Sequence, residues 1–122
     1  MKYEEVIKYL KSYQELKYNI EFYRTKMSGL KAISYSQEEK GAVIDNLMTE
    51  YMSKIELAEK KMKEIEEFIE NNFQGKERLC IWNRYINNDT YKQIGAEIYY
   101  TSSYARKFIT NAIYKYLETI NK

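Results

Sequence analysis

The sequence predicts an all-α protein in which two long helices are followed by three shorter ones. Proline is absent and only four glycines occur, so the chain is poor in the residues that make the tight turns of β-proteins. Two long stretches repeat apolar residues at alternating spacings of three and four, the pattern of a helix that buries one stripe. The composition changes after Phe73, and shorter periodic segments follow.

The two long stretches carry matching apolar seams. The first seam consists of Val6, Tyr9, Tyr13, Leu16, Ile20, Tyr23, Met27 and Leu30. The second consists of Ile44, Met48, Tyr51, Ile55, Ala58, Met62, Ile65 and Ile69. We expect the two helices to form a long antiparallel hairpin, a coiled coil, in which each covers the seam of the other. Residues 1–73 are therefore predicted to be an interaction region, through which a homodimer could also form.

The ends of the two long helices are marked less clearly. Gly29 is suited to close the first helix, because glycine tolerates the left-handed cap conformation. Ser36 with Glu39 fits a capping box at the start of the second helix, whereas Gly41 favours a later start near Val43. In both interpretations the second helix runs to about residue 72.

Three shorter helices are predicted within residues 74–122. The first covers residues 76–86 and is expected to turn Leu79, Trp82, Tyr85 and Ile86 inward. Thr90 with Gln93 fits a capping box for the second. Thr101 is a suitable N-cap for the third, over residues 102–120, whose core side is expected to hold Ala105, Phe108, Ile109, Ala112, Ile113, Tyr116 and Leu117.

Charge is distributed unevenly between the two parts of the chain. Residues 1–72 carry 12 basic and 14 acidic side chains, while residues 73–122 carry 8 basic and 4 acidic ones. The front is therefore mildly acidic and the back is basic. This asymmetry favours a polyanion as the partner of the C-terminal part.

The last two predicted helices fit a helix-turn-helix. Gly95 and Ala96 are small enough for the supporting helix to approach its neighbour closely. The following helix begins with small, polar and basic residues, as a helix that enters the major groove must. These candidate DNA-binding residues are Thr101, Ser102, Ser103, Tyr104, Arg106, Lys107 and Thr110. A three-helix structural domain that binds no DNA would show the same apolar pattern.

The stretch from Trp82 to Leu117 resembles region four of bacterial sigma factors. The matching residues are the pairs Arg84-Tyr85, Ile94-Gly95, Ala112-Ile113 and Tyr116-Leu117, with Thr90 at the start of the supporting helix. A coiled-coil front before such an end is similar to the small phage regulators of the ArpU type. The resemblance implies that Ser102, Ser103, Tyr104, Arg106 and Lys107 occupy the positions that contact bases and the DNA backbone.

The resemblance also implies a function. It predicts a sequence-specific, double-stranded-DNA-binding transcriptional regulator, encoded by a phage or prophage, that acts on late-gene promoters and can contact RNA polymerase. One position departs from the pattern, because Tyr99 stands where the turn usually has glycine. Either the turn takes a different geometry or the backbone of Tyr99 is strained.

Other classes of protein are less consistent with the sequence. Without histidine and without a glycine-rich phosphate loop, we expect no catalytic residues, no metal site and no cofactor. The single Cys80 is expected to be a small buried hydrophobe, and with no apparent signal peptide the chain is expected to be cytoplasmic, in a bacterial host cell. Two alternatives remain: a small terminase-like DNA-packaging subunit, and a phage adaptor or inhibitor that binds a protein.

Overall fold

The computed structural model describes residues 1–34 and 41–121, and within them the fold is all helical, as predicted. The five helices are α1 (Tyr3–Ser34), α2 (Gly41–Asn72), α3 (Gly75–Tyr85), α4 (Tyr91–Glu97) and α5 (Ser102–Ile120). No β-strand occurs in this part of the chain. None of the helices in these two ranges combines the length and the apolar character needed to cross a membrane.

The observed ends of the two long helices differ from the predicted ends. The prediction that Gly29 closes the first helix is wrong, because α1 continues to Ser34. A glycine ends a helix when its backbone turns left-handed, and Gly29 has no positive φ. The second helix begins at Gly41, two residues before the predicted later start. The alternative start, with Ser36 as cap and Glu39 as its partner, lies outside the described residues.

The described chain divides into two compact units, one made of residues 15–62 and the other of residues 1–14 together with 63–122. In the first unit the seam residues Ile20, Ile44 and Ala58 are buried. Leu16 and Ile55, expected in the centre of a shared core, are only half-buried. Aromatic contact contributes to this unit as well, since 5.7 Å separates the ring centres of Tyr23 and Tyr51. Arg24 and Glu59 add an ion pair of 3.5 Å.

The second unit contains α3, α4 and α5 together with one end of each long helix. Its fully buried side chains include Val6, Leu10, Ile65, Ile69, Ile81, Ile94, Ile109 and Ile113. Leu10 takes the inward position that the seam assigned to Tyr9, which is 38% exposed and meets the ring of Phe68 edge-on at 5.3 Å. The predicted boundary after residue 73 concerns domain organisation and stays a prediction.

The buried face of α3 agrees only in part with the prediction, although Cys80 is buried as expected. Leu79 was expected inside but is 46% exposed, whereas its neighbours Cys80 and Ile81 are completely buried. Trp82 is half-buried, and Tyr85 and Ile86 are buried as predicted. The reason is that α3 contacts both α4 and α5, so its buried face is broad and includes Cys80 and Ile81.

A side chain of α1 satisfies the end of α3. The Nε2 atom of Gln14 donates hydrogen bonds to the backbone carbonyls of Tyr85 and Ile86, each over 3.0 Å. The last carbonyls of a helix have no partner within the helix, so a donor from elsewhere is stabilising there. Gln14 therefore fixes the beginning of α1 against the C-terminal end of α3.

The buried thiol gives a direct test of this core. Burial raises the pKa of the Cys80 thiol, which lowers the fraction of reactive thiolate, and the side chain is fully buried. We expect a water-soluble disulfide reagent to modify the native protein on the order of a hundredfold more slowly than the denatured chain. Since the sequence has one cysteine, the absorbance of the released thiol reports this site alone. Equal rates in the two states would contradict the assignment of Cys80 to the core.

Candidate functional site

The candidate site is built on α4, whose first turn is capped as predicted. The Thr90 Oγ1 atom accepts from the Gln93 backbone N–H over 3.1 Å, and the Gln93 side chain accepts from the Thr90 backbone N–H over 2.8 Å. Ile94 and Ile98 are buried. These contacts fix where α4 starts and which face it buries.

Gly95 is the point where α4 meets the turn before α5. A Cβ atom on Gly95 would lie 2.7 Å from the carbonyl oxygen of Thr101 and 2.8 Å from that of Tyr100, closer than real Cβ contacts allow. The Gly95 carbonyl in turn accepts a hydrogen bond of 2.8 Å from the Tyr100 backbone N–H. The predicted close approach is confirmed at Gly95. It is wrong for Ala96, which is exposed.

Tyr99 occupies a strained position in this turn. Its φ is +65°, in the left-handed region that costs a residue with a Cβ roughly 1–2 kcal/mol. Its side chain is 94% exposed. Of the two expectations for this position, the strained backbone is therefore the one found.

Helix α5 is capped and oriented as predicted. The Thr101 Oγ1 atom accepts from the Tyr104 backbone N–H over 3.1 Å. The core side contains the buried residues Ala105, Ile109, Ala112, Ile113 and Leu117, and the half-buried Phe108 and Tyr116. The first turn of α5 is thereby anchored from behind, and its other face is left to solvent.

The structure places most of the candidate residues on that solvent face. Thr101, Ser102, Ser103, Tyr104, Arg106 and Lys107 are all exposed. Ser103 and Lys107 lie four apart and so are neighbours on the helix surface. Thr110 differs from the others, because it is half-buried and its hydroxyl donates to the backbone carbonyl of Arg106 over 2.9 Å. Its hydroxyl proton is thus already used within α5.

The two cations of this face differ from Lys115 and Arg84 of the same unit in having no polar partner for their side chains among the described residues. Neither Arg106 nor Lys107 forms an ion pair with a carboxylate in the part of the chain that the structure describes. Lys115, further along α5, lies 3.7 Å from Glu77. Arg84 donates to the Asp89 carbonyl over 3.0 Å and stacks on the ring of Tyr91 at 4.1 Å. Arg106 and Lys107 are therefore two exposed cations on the first turns of α5 without an ion pair within residues 1–34 and 41–121.

A buried amide holds α3 and α4 together. Asn83, which is 7% exposed, donates to the Glu97 carboxylate over 2.9 Å and accepts from the Asn87 side chain over 2.9 Å. Its backbone carbonyl also accepts from the Asp89 N–H over 2.9 Å. The polar network spans the turn between the two helices. Sequence reasoning missed Asn83, since its partners lie on other elements.

Sequence reasoning also missed that the candidate residue Tyr104 belongs to a row of rings, which we term the aromatic column: Tyr100, Tyr104 and Phe108. The ring centres of Tyr100 and Tyr104 are 4.1 Å apart with 22° between their planes. Those of Tyr104 and Phe108 are 6.1 Å apart at 20°. The Lys76 ammonium lies 5.7 Å from the Tyr100 ring centre. The spacing of four between successive aromatics was the signal that could have revealed the column.

No group of three histidine, cysteine or acidic side chains that could hold a metal ion occurs among residues 1–34 and 41–121. Comparisons with protein-family models, with curated proteins and with solved structures gave no match.

The close approach at Gly95 can be tested with a matched pair of glycines. We expect Gly95→Ala to destabilise the protein by about 1–3 kcal/mol, because the new methyl group meets backbone atoms that cannot move aside easily. Gly29→Ala is the control, since its Cβ would meet nothing within 4 Å. That change should stabilise by about 0.5–1 kcal/mol through helix propensity. Urea unfolding measures both, and a Gly95→Ala variant as stable as Gly29→Ala would contradict the contact.

The strain at Tyr99 can be measured separately from the loss of its ring. Tyr99→Gly and Tyr99→Ala both remove the ring, but only glycine tolerates the left-handed backbone freely. We expect the glycine variant to be about 1 kcal/mol more stable than the alanine variant. Thermal or urea unfolding of the two variants provides the comparison. An alanine variant equal to or more stable than the glycine variant would show that the position is unstrained.

Proposed function

We propose that this chain is a DNA-binding transcriptional regulator in which α4, the turn at Tyr99 and α5 form a helix-turn-helix. The observation that carries the proposal is the exposed first half of α5, where Arg106 and Lys107 have no carboxylate partner within the described residues. A helix placed in the major groove presents this kind of surface at its N-terminal half. The proposed role is binding rather than catalysis.

The chemistry of this face suits a phosphate backbone with bases beside it. The first backbone N–H groups of α5 are not bonded within the helix, and the helix dipole makes this end positive. Ser102 and Ser103 add hydroxyl groups that can donate to phosphate oxygens. Arg106 and Lys107 follow within the next turn, and Arg106 has the bidentate geometry that recognises guanine.

The rigidity of the supporting elements favours the same proposal. Gly95 fixes the distance between α4 and the start of α5, and the Asn83 network ties α4 to α3. A recognition helix that is already positioned loses little conformational entropy when it binds. The buried side of α5 therefore supports the exposed side as a preformed surface.

The rest of the proposal follows from the sequence resemblance. We place the chain with sigma-region-four-like phage regulators of the ArpU type, acting on late-gene promoters, with RNA polymerase as a further partner. In this proposal α1 and α2 form the antiparallel hairpin and provide the surface for a homodimer. The contact between Tyr23 and Tyr51 supports pairing of the two helices.

The test is a titration of double-stranded promoter DNA and of random DNA at several salt concentrations. We expect Arg106→Ala/Lys107→Ala to weaken binding by about tenfold or more and to lower the salt slope by about one for each of the two cations that binds a phosphate. A cation that contacts a base instead should affect the preferred site only. The circular dichroism spectrum of the variant should be unchanged, because both residues are exposed.

The control is a variant with the same change of charge at a different place. Lys60→Ala/Lys61→Ala removes two exposed lysines from residues 15–62 and should leave DNA affinity nearly unchanged at moderate salt. If both double variants lose affinity equally, binding follows net charge rather than α5. If the wild type binds no DNA at low salt, the proposal fails and the protein-binding adaptor becomes the better interpretation. Ring-shaped oligomers with DNA affinity would favour the terminase subunit.

A further inference from the structure

We propose that the aromatic residues at the start of α5 stack on unpaired DNA bases, so that single-stranded DNA is a second ligand of this face. The residues proposed to stack on bases, here termed the aromatic platform, are the separate ring of Tyr99 and the aromatic column of Tyr100, Tyr104 and Phe108. The inference rests on the proposed DNA-binding function for the identity of the polymer. It adds that the protein recognises bases which have left the duplex.

Tyr99 provides the first observation. Its backbone is held at φ +65°, where glycine would be free of strain, while its ring is 94% exposed. The described residues place no aromatic ring or cation against it. The exposed Tyr99 ring therefore adds no packing energy to the fold that would offset the strain of its backbone. Residues of this kind cluster at sites that bind a ligand, and here both faces of a phenol ring are open to one.

The aromatic column provides the second, independent observation. Tyr100 and Tyr104 are 50% and 41% exposed, although their rings already stack at 4.1 Å. Nearly parallel rings that remain exposed form a surface onto which further flat rings can stack. Proteins that bind single strands use aromatic side chains in this way, because every base has a π-face. The platform is therefore matched to bases rather than to an aliphatic surface.

Charge complementarity selects a polynucleotide as the occupant. Lys76 lies 5.7 Å from the Tyr100 ring centre, near the outer limit of a cation–π contact, so its ammonium can move to a phosphate when a base takes its place. Arg106 and Lys107 stand on the same turns of α5 as Tyr104 and Phe108. Cations beside stacking rings are the combination that follows a sugar–phosphate backbone. An apolar protein surface would leave these charges without a partner.

The paired bases of duplex DNA cannot stack on the rings of the aromatic platform. Paired bases are stacked on each other and offer only their edges in the grooves, which suits Arg106 and the serines but not a ring face. Bases that have been unpaired offer their faces. The cations can therefore serve both ligands, whereas the rings distinguish single-stranded from double-stranded DNA.

The experiment compares two labelled oligonucleotides that differ only in their bases. One is oligo-thymidine of about 12 nucleotides, within the range that one single-strand site covers. The other is an abasic strand of the same length, which keeps the phosphates and lacks the rings. We expect fluorescence anisotropy to show at least about fivefold tighter binding of oligo-thymidine, the lower end of what one stacked base contributes. RNA of the same length tests whether the sugar matters.

Variants at position 99 identify the ring responsible. Tyr99→Ala should remove most of the preference for oligo-thymidine and leave abasic binding unchanged, while Tyr99→Phe should retain the preference because stacking needs the ring and not the hydroxyl. Tyr18→Ala is the matched control, since Tyr18 is 64% exposed on α1 within residues 15–62. Circular dichroism verifies that each variant is folded.

The outcomes separate this inference from the proposed function. If the protein binds duplex DNA but binds oligo-thymidine and the abasic strand equally well, the aromatic platform is overturned. The proposed regulator function is then unaffected. Base-dependent binding of single strands without duplex binding supports the platform and overturns the helix-turn-helix proposal. No binding to any strand overturns both. A preference for oligo-thymidine that survives Tyr99→Ala and Tyr100→Ala together overturns the assignment of stacking to these rings.

Discussion

The contact between Gly95 and the backbone of Tyr100 and Thr101 sets the geometry on which the rest of the candidate site depends. The two carbonyl oxygens approach so closely that only a residue without Cβ fits, and a hydrogen bond from Tyr100 holds the approach. The position of α5 relative to α4 therefore follows from backbone atoms, which adjust little. This contact therefore sets the positions of the cap at Thr101, the exposed cations and the aromatic platform.

Around that contact, polar groups are used sparingly and each has a defined partner. Asn83 joins α3 to α4 through Glu97, and Gln14 reaches the last carbonyls of α3 from α1. Both are amides, which lose little to desolvation compared with charged groups when they are buried and bonded. The arrangement keeps charge at the surface of the unit.

Short-range patterns in the sequence predicted the helix caps. Features that depend on residues far apart in the chain were missed or assigned wrongly. The caps at Thr90 and Thr101 depend on residues three positions away, so their spacing alone was sufficient. The orientation of α3 depends on α4 and α5, and for this reason Leu79 was assigned to the wrong face. Gln14 bonds to residues 71 and 72 positions away, which no periodicity reveals. The exposed face of α5 could be predicted because apolar residues recur there at spacings of three and four.

The hydrogen bonds from Gln14 to the end of α3 also affect the order in which the protein folds during its synthesis. The compact unit that contains α3, α4 and α5 includes residues 1–14, so it is discontinuous along the chain, with residues 15–62 inserted between its parts. A ribosome releases the first part long before the last helix exists, and the carbonyls that Gln14 satisfies are not yet present. The unit in which Val6 and Leu10 are buried is therefore completed only after α3 has been made. Completion of this unit is in this way coupled to residues that are made well after its first part.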